Sequence, residues 1–281
     1  MIKETRNFDW GETRKKLCVF MPSFTFPELT EFSIQSIRTK VDPEDYIIII
    51  GNDNIPHNWD HLKPLNVKFF TLLREGVPAG TPRNGCFIRN YFLKRAQCER
   101  YVMKDAEVVL YGDFIYNAMH FRTGWRPSTI YSLLENQTEA YMKAEGHASF
   151  LAEKCTPKME VRHPVFEDAY QLKQMLLDAD GQVNPTTYYH YAYGTNLADV
   201  VSINGYDEDY CSYGWEDSDM YCRLFARDQV ICPDAECTAV HPYHKKTGDS
   251  KVAVVANMRD VFVGKSPMAW VRNHKGWGEG E

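Results

Sequence analysis

Tyr46-Ile47-Ile48-Ile49-Ile50 is apolar throughout and β-branched at its last four positions. A strand with no polar alternation has no solvent face, so it belongs in a sheet covered on both sides, the setting of parallel strands in α/β proteins. The turn formers Gly51-Asn52-Asp53-Asn54 close it. Similar runs stand on either side: Leu17-Cys18-Val19-Phe20-Met21, stopped by Pro22-Ser23, and Val67-Lys68-Phe69-Phe70. Between the first two, residues 34–40 follow Phe32 with helical spacing of Ile34 and Ile37. Gly80-Thr81-Pro82-Arg83-Asn84-Gly85 then opens a helix through Ile88, Tyr91, Phe92 and Ala96, which delivers the chain into a further strand over residues 101–109. This alternation predicts an α/β fold, a mostly parallel twisted sheet flanked by helices.

At 281 residues, 44% hydrophobic and 25% charged, the chain can bury the core such a sheet needs. It reads as one domain over residues 1–281. The strand–helix alternation places a first half at about 15–115, an insertion at about 116–190 where prolines interrupt the helical pieces, a second half at about 191–250 and a tail at 251–281. Within the insertion, residues 169–177 keep helical spacing. A net charge of -6 and a pI near 5.9 give no global basic field, so a long phosphate backbone is not an expected partner. No run of about 18 apolar residues occurs, and Met1-Ile2-Lys3-Glu4-Thr5-Arg6 lacks the apolar stretch of a signal peptide; the expectation is no membrane span and a cytoplasmic location. The eight cysteines include no C-x-x-C pair, which argues against a zinc ribbon and for reduced thiols.

The chemistry is concentrated at Lys104-Asp105-Ala106-Glu107, where an apolar run meets two acids one residue apart. At the carboxyl edge of a sheet, Asp105 and Glu107 offer hard oxygen ligands that a divalent ion and a phosphate can share. Along an extended segment both side chains would aim the same way. An isolated D-x-E is more often a solvated acidic turn, so the motifs around it decide its meaning.

Those motifs come in order. Val19-Phe20-Met21-Pro22-Ser23-Phe24 is first and Ile49-Ile50-Gly51-Asn52-Asp53 second; Pro82-Arg83-Asn84-Gly85 then leads to Asp105-Ala106-Glu107. The last set is Gly194-Thr195-Asn196, Asn204-Gly205-Tyr206-Asp207, Gly214-Trp215-Glu216-Asp217-Ser218-Asp219 and Val240-His241-Pro242-Tyr243-His244. In this order they resemble the GT-A fold glycosyltransferases, in particular family 2 with a galactosyltransferase-type (family 7) C-terminal segment. The resemblance implies transfer of a sugar from a UDP-sugar donor to an acceptor hydroxyl. It places Pro22, Ser23, Asp53, Arg83, Asn84, Asp105 and Trp215 on the donor, Asp53 against the uracil. It adds His241 to Asp105 and Glu107 as a metal ligand, with His244 as the alternative. A mixed nitrogen and oxygen set suits Mn²⁺, with Mg²⁺ as the second choice.

Asp217 stands in the family's base position, where a carboxylate takes the proton of the attacking hydroxyl, and Glu216 would hold the acceptor. Asp219 would cap or orient the helix that follows. An Asp at this position favours single displacement with inversion. Tyr213-Gly214-Trp215 replaces the family's Trp-Gly-Gly, so the loop over the donor has its own shape. Plain helix capping is the competing account of the acidic run.

Other signals weigh less. His57 and His61 lack the Glu of an H-E-x-x-H pattern. Asn136-Gln137-Thr138 is a glycosylation sequon that would stay idle inside the cell. Tyr188, Tyr189, Tyr191 and Tyr193 serve either the core or a stacked sugar or base. Two other classes compete with the transferase. A glycoside hydrolase on Glu216 and Asp217 asks adjacent residues to flank one bond and leaves Asp105 unused. A non-catalytic carbohydrate- or nucleotide-binding module on a degenerate scaffold leaves the acid-and-His set without a purpose. The acceptor is open among glycan, protein, lipid-linked sugar and modified base.

Overall fold

The computed structural model describes residues 2–23, 26–37, 39–78, 85–120, 126–144, 150, 151, 153, 168–178, 192–210, 214–227, 234–244, 251–269, 271–273 and 277–279. Among the described residues nine strands form one sheet: β1 (Ile2–Arg6), β2 (Leu17–Ser23), β3 (Tyr46–Asp53), β4 (Val67–Arg74), β5 (Arg100–Lys104), β6 (Val109–Tyr111), β7 (Arg126–Ser132), β8 (Ala192–Asn196) and β9 (Asp234–His241), in the order β1-β4-β3-β2-β5-β8-β7-β9-β6. The helices are α1 (Pro27–Gln35), α2 (Gly85–Arg95), α3 (Phe114–His120), α4 (Glu135–Lys143), α5 (Ala169–Asp178), α6 (Leu197–Ser202), α7 (Glu216–Ala226) and α8 (Lys251–Gly264).

The centre β4-β3-β2-β5 is parallel throughout. β8 runs against β5 and β7, and β9 runs with β7, so β2, β3, β4, β5, β7 and β9 all point one way. Their carboxyl ends share an edge, which is where open α/β sheets bind ligands.

Successive residues of the central strands feed two cores. Cys18, Phe20, Ile47 and Ile49 pack with Phe87, Ile88 and Phe92 of α2 and with α7. Leu17, Val19, Met21, Ile48 and Ile50 pack with Ile34 of α1 and Phe114, Ile115 and Ala118 of α3. The unbroken isoleucine run of β3 is thus split by the period-two pleat between two helical layers.

Only residues 105–108 separate β5 from β6, although β8, β7 and β9 stand between them in the sheet. A flat sheet of that width would span about 19 Å from β5 to β6. The link is instead a tight turn, with the Val108 N–H donating to the Asp105 carbonyl at 3.0 Å. The sheet therefore curls, and β7 supplies the bend. It pairs β8 through Arg126 and Pro127 and β9 through Ser128–Ser132, with a register shift between Ser128 and Thr129. This curl brings the end of β9 to the turn after β5.

Several elements differ from their sequence expectation at the margins. α1 begins at Pro27 rather than at 34, because proline suits a first helical position. β2 continues through Pro22 to Ser23. The N-terminal arm is an edge strand, β1, antiparallel to β4. Gly194-Thr195-Asn196 lies within β8, a strand for which the sequence carried no expectation. No helix of the described residues is long and apolar enough to cross a membrane. Cys18, Cys86, Cys98, Cys222 and Cys237 are buried and none of them forms a disulfide among the described residues.

Candidate active site

β5 ends at Lys104, and the turn after it sends its two acids different ways. Asp105 and Glu107 therefore do not share the direction expected of an extended segment, because the backbone folds on itself at Ala106. Lys104, wholly buried, holds this turn: its ammonium donates to the carbonyls of Asp105 (2.9 Å) and Ala106 (3.1 Å). Burial pushes that ammonium down to about 7, while the Glu107 and Asp105 carboxylates oppose the fall.

Glu107 faces the end of β9. Its Oε1 lies 3.2 Å from His244 Nε2 and 3.7 Å from His241 Nε2. The three residues offer ligand atoms all within 4.8 Å of one another, the one such group among the described residues. Burial works against the Glu107 carboxylate, but the two facing imidazoles outweigh it and hold its pKa below the ordinary range. Phe26, left-handed at φ 60° just before α1, packs its ring 4.4 Å from the His244 ring. His244 Nδ1 is buried and has no hydrogen-bond partner among the described residues. One carboxylate and two imidazoles are a donor set that fits Mn²⁺ or another borderline divalent ion.

Asp105 faces Arg89. The guanidinium, on the buried side of α2, lies 3.8 Å from Asp105 Oδ1 and 3.4 Å from Glu216 Oε1, with the Tyr206 ring 5.0 Å beneath it. Burial opposes the Arg89 charge, and Asp217, Tyr206, Glu216 and Asp105 more than restore it. Asp105 is pushed upward by burial and then by Glu107, with Arg89 pulling the other way. Its side chain keeps 31% exposure, and solvent moderates the rise.

Glu216 and Asp217 begin α7. Trp215 occupies the N-cap with φ 72°, after Gly214 at φ 104°, and no side chain caps the helix. A bulky residue in the left-handed region is strained by about 1–3 kcal/mol. The twist turns the first helical residues inward. Burial raises both carboxyls, Glu216 further by repulsion from Asp217, and Arg89 lowers both. Glu216 Oε2 and Asp217 Oδ1 are buried without a hydrogen-bond partner among the described residues. Asp219 does not cap the helix; it pairs with Arg223 at 2.6 Å, and Arg272 lies 3.6 Å away.

The donor-side candidates line the same edge. Pro22 and Ser23 pair in register with Gly51 and Asn52, so Ser23 and Asp53 end adjacent strands; both are buried. Ser23 Oγ is buried without a partner among the described residues. The Trp215 ring stacks on Phe262 of α8, centroids 5.1 Å apart. Arg83 and Asn84 lie outside the described residues, as do Tyr188, Tyr189 and Tyr191. Tyr193 is fully buried in the core. His61 makes an exposed contact with Glu31 at 3.1 Å.

A family model described as the N-terminal domain of galactosyltransferase matches residues 192–245. That stretch runs from β8 to just past His244 and includes Glu216, Asp217 and His241. No curated protein matches the chain. Among solved structures, S. aureus TarS is similar with TM-score 0.54 and 12% identity over 81% of this chain and 37% of that one. TarS 1-349 is similar with TM-score 0.50 and 12% identity over 81% of this chain and 60% of that one. The mannosyltransferase PcManGT from Pyrobaculum calidifontis, solved in complex with GDP-Man and Mn²⁺, gives TM-score 0.54 and 13% identity over 92% of this chain and 67% of that one. The chain has the GT-A fold. Its match to the galactosyltransferase segment and its GT-A architecture together support a glycosyltransferase.

Three buried residues around this cluster escaped the sequence reading. Arg89 follows Arg83-Asn84 as a second Arg-Asn pair, and on a helix it reads as a solvated cation. Asn90 clamps Tyr206 by accepting from its N–H and donating to its carbonyl, each at 2.8 Å. Lys104 reads as the polar end of a strand. The available signal was a charged residue beside each of two motifs, but it does not separate buried from exposed.

Proposed function

We propose that this chain is a metal-dependent, inverting glycosyltransferase that moves a sugar from a UDP-sugar to an acceptor hydroxyl. The observation that carries the proposal is the grouping of Glu107 with His241 and His244 at the sheet edge, beside the Arg89, Asp105, Glu216 and Asp217 cluster. Glu107, His241 and His244 would hold Mn²⁺, or Mg²⁺ in its place. A divalent ion bound there supplies a Lewis acid that neutralises the leaving diphosphate as the C1–O bond breaks.

The remaining work falls to the protein's own groups. Asp53 and Ser23, at the ends of β3 and β2, would hold the base and ribose side of the donor. Asp105 would contact the donor next to the metal set. Asp217 accepts the proton of the acceptor hydroxyl, and that oxygen attacks the anomeric carbon from the face opposite the diphosphate, so the configuration inverts. Glu216, pinned by Arg89 through Oε1, keeps Oε2 for the acceptor. A buried carboxylate with a lone unpartnered oxygen is an expensive arrangement unless a ligand completes it.

Calorimetry with UDP in the presence of Mn²⁺, with GDP as comparator, tests donor class; absence of UDP binding would sink the transferase reading. Release of UDP from a panel of UDP-sugars tests turnover. Asp217→Asn is expected to abolish that release while leaving UDP affinity nearly intact, and Asp105→Ala to weaken both. UDP binding with no release from any nucleotide sugar would favour the non-catalytic module instead.

A further inference from the structure

Two buried aspartates stand close in sequence to the site, each in a segment that carries part of it. Asp207 follows Tyr206 in the loop between α6 and α7, and Asp219 stands two residues after Asp217 on the first turn of α7. A buried carboxylate is costly unless cations or hydrogen bonds surround it. Two of the cations come from the stretch after α8. Arg272 straddles both acids: its Nε lies 3.7 Å from Asp207 Oδ2 and its Nη2 3.6 Å from Asp219 Oδ1. Lys265 contacts Asp207 Oδ2 and lies 2.7 Å from Oδ2 of the exposed Asp209. Arg223, one turn along α7, donates Nε to Asp219 Oδ2 at 2.6 Å and Nη1 to the Ile203 carbonyl at 3.1 Å. Three carboxylates thus meet three cations.

The two incoming cations are themselves fixed. α8 ends at Gly264, and Lys173 of α5 donates to the carbonyls of Val263 at 2.9 Å and Lys265 at 2.5 Å, groups that the helix itself leaves unpaired. Arg272 folds back to donate Nη2 to the Ser266 carbonyl at 2.5 Å. A planar guanidinium can face two carboxylates at once, whereas an ammonium is a point charge. The first turn of α7 has no side-chain cap, so tertiary contacts set its direction. Glu216 is held from α2 by Arg89, and Asp219 is held from the stretch after α8 by Arg272. Asp217 lies between these two anchors.

We propose that Arg272 is a positioning residue for Glu216 and Asp217: by bridging Asp207 and Asp219 it sets the angle at which α7 presents the two acids to the acceptor. This rests on those acids working on the acceptor side. It makes residues read from sequence as a tail part of the acceptor half.

Hydrogen exchange of the full chain, followed by mass spectrometry, reads the positioning without any substrate. In Arg272→Gln the amides of residues 204–209 and 216–222 are expected to exchange about tenfold faster, while those of β2 and β3 keep their parent rates. Unchanged exchange in both segments, or equal acceleration throughout the sheet, overturns the proposal. Turnover is the second readout. UDP release from a UDP-sugar in Mn²⁺ is expected to fall at least about tenfold in Arg272→Gln, with UDP affinity within about twofold of the parent, because slight misplacement of reacting groups costs rate. Release at the parent rate overturns the proposal, as does a loss of UDP affinity as large as the loss of release. Should Arg272→Gln not fold, Arg272→Lys decides in its place, since it keeps the charge but reaches one carboxylate. The same two segments must then loosen and release must fall by a smaller factor; a variant that behaves as the parent overturns the proposal. No UDP release by the parent from any nucleotide sugar would defeat the transferase reading alone, and the exchange pattern would then decide whether Arg272 holds the two segments.

Discussion

Arg89 is the residue at which the two halves of the site meet, since it bridges Asp105 after β5 and Glu216 on α7. Removing one partner of a buried pair leaves uncompensated charge and costs about 3–5 kcal/mol. The cost should depend on pH. Burial holds Glu216 and Asp217 above the ordinary carboxylate range, and Arg89 restrains that rise. A carboxyl raised in the fold penalises stability above its folded pKa, and the penalty vanishes as pH falls toward the unfolded value near 4. Arg89→Met lifts both groups further. Its destabilisation, measured by thermal melts, is expected to be largest near pH 7.5 and clearly smaller near pH 5. Equal losses at the two values would argue against charge coupling.

At the scale of elements, the loop carrying Tyr206 is built from distant parts. Asn273 donates to the Asn204 and Tyr206 carbonyls and accepts from the Glu208 N–H, while Glu208 Oε1 accepts from the Gly278 N–H. Asn273 and Gly278, within the stretch read from sequence as a tail, thus brace this loop. Gly205 is the weak point of this assembly, because it needs a positive φ and has no room for a Cβ. Gly205→Ala is expected to cost about 2–4 kcal/mol by strain and displacement of Asn90, read as a lowered denaturation midpoint. A loss below about 1 kcal/mol would mean the loop can shift. Strands β2, β3 and β4 were legible because an apolar run with nearby turn formers has one good use. β8 was not: Ala192-Tyr193-Gly194-Thr195-Asn196 has weak strand propensity and is extended because β5 and β7 flank it.

Across the whole molecule, the candidate metal ligands come from parts of the chain far apart in sequence, Glu107 in the turn after the central strand β5, and His241 and His244 at and just past the end of β9. A divalent ion that binds them ties these regions together and binds only the folded state. At a Mn²⁺ concentration about 100 times its Kd, mass action adds about 2.7 kcal/mol, which for a domain of this size is a rise of about 5 °C in Tm. Glu107→Gln should abolish most of that rise while leaving the metal-free Tm within a few degrees. A rise that survives this substitution would place the ion elsewhere.

The sequence by itself determined the sheet and its covered faces, because unbroken β-branched runs admit no solvent side. It also determined which residue types could do the chemistry, because D-x-E and His241 are polar groups at the ends of apolar runs and Glu216-Asp217 is an acidic pair at the start of a helix. Only the tertiary structure decided their partners. Asp105 and Glu107 part company because the turn at Ala106 and the curl through β7 send one to Arg89 and the other to the histidines. Arg89 and Glu216 meet across 127 positions. Such a pairing comes from packing α2 against α7 and leaves no local periodicity in the chain.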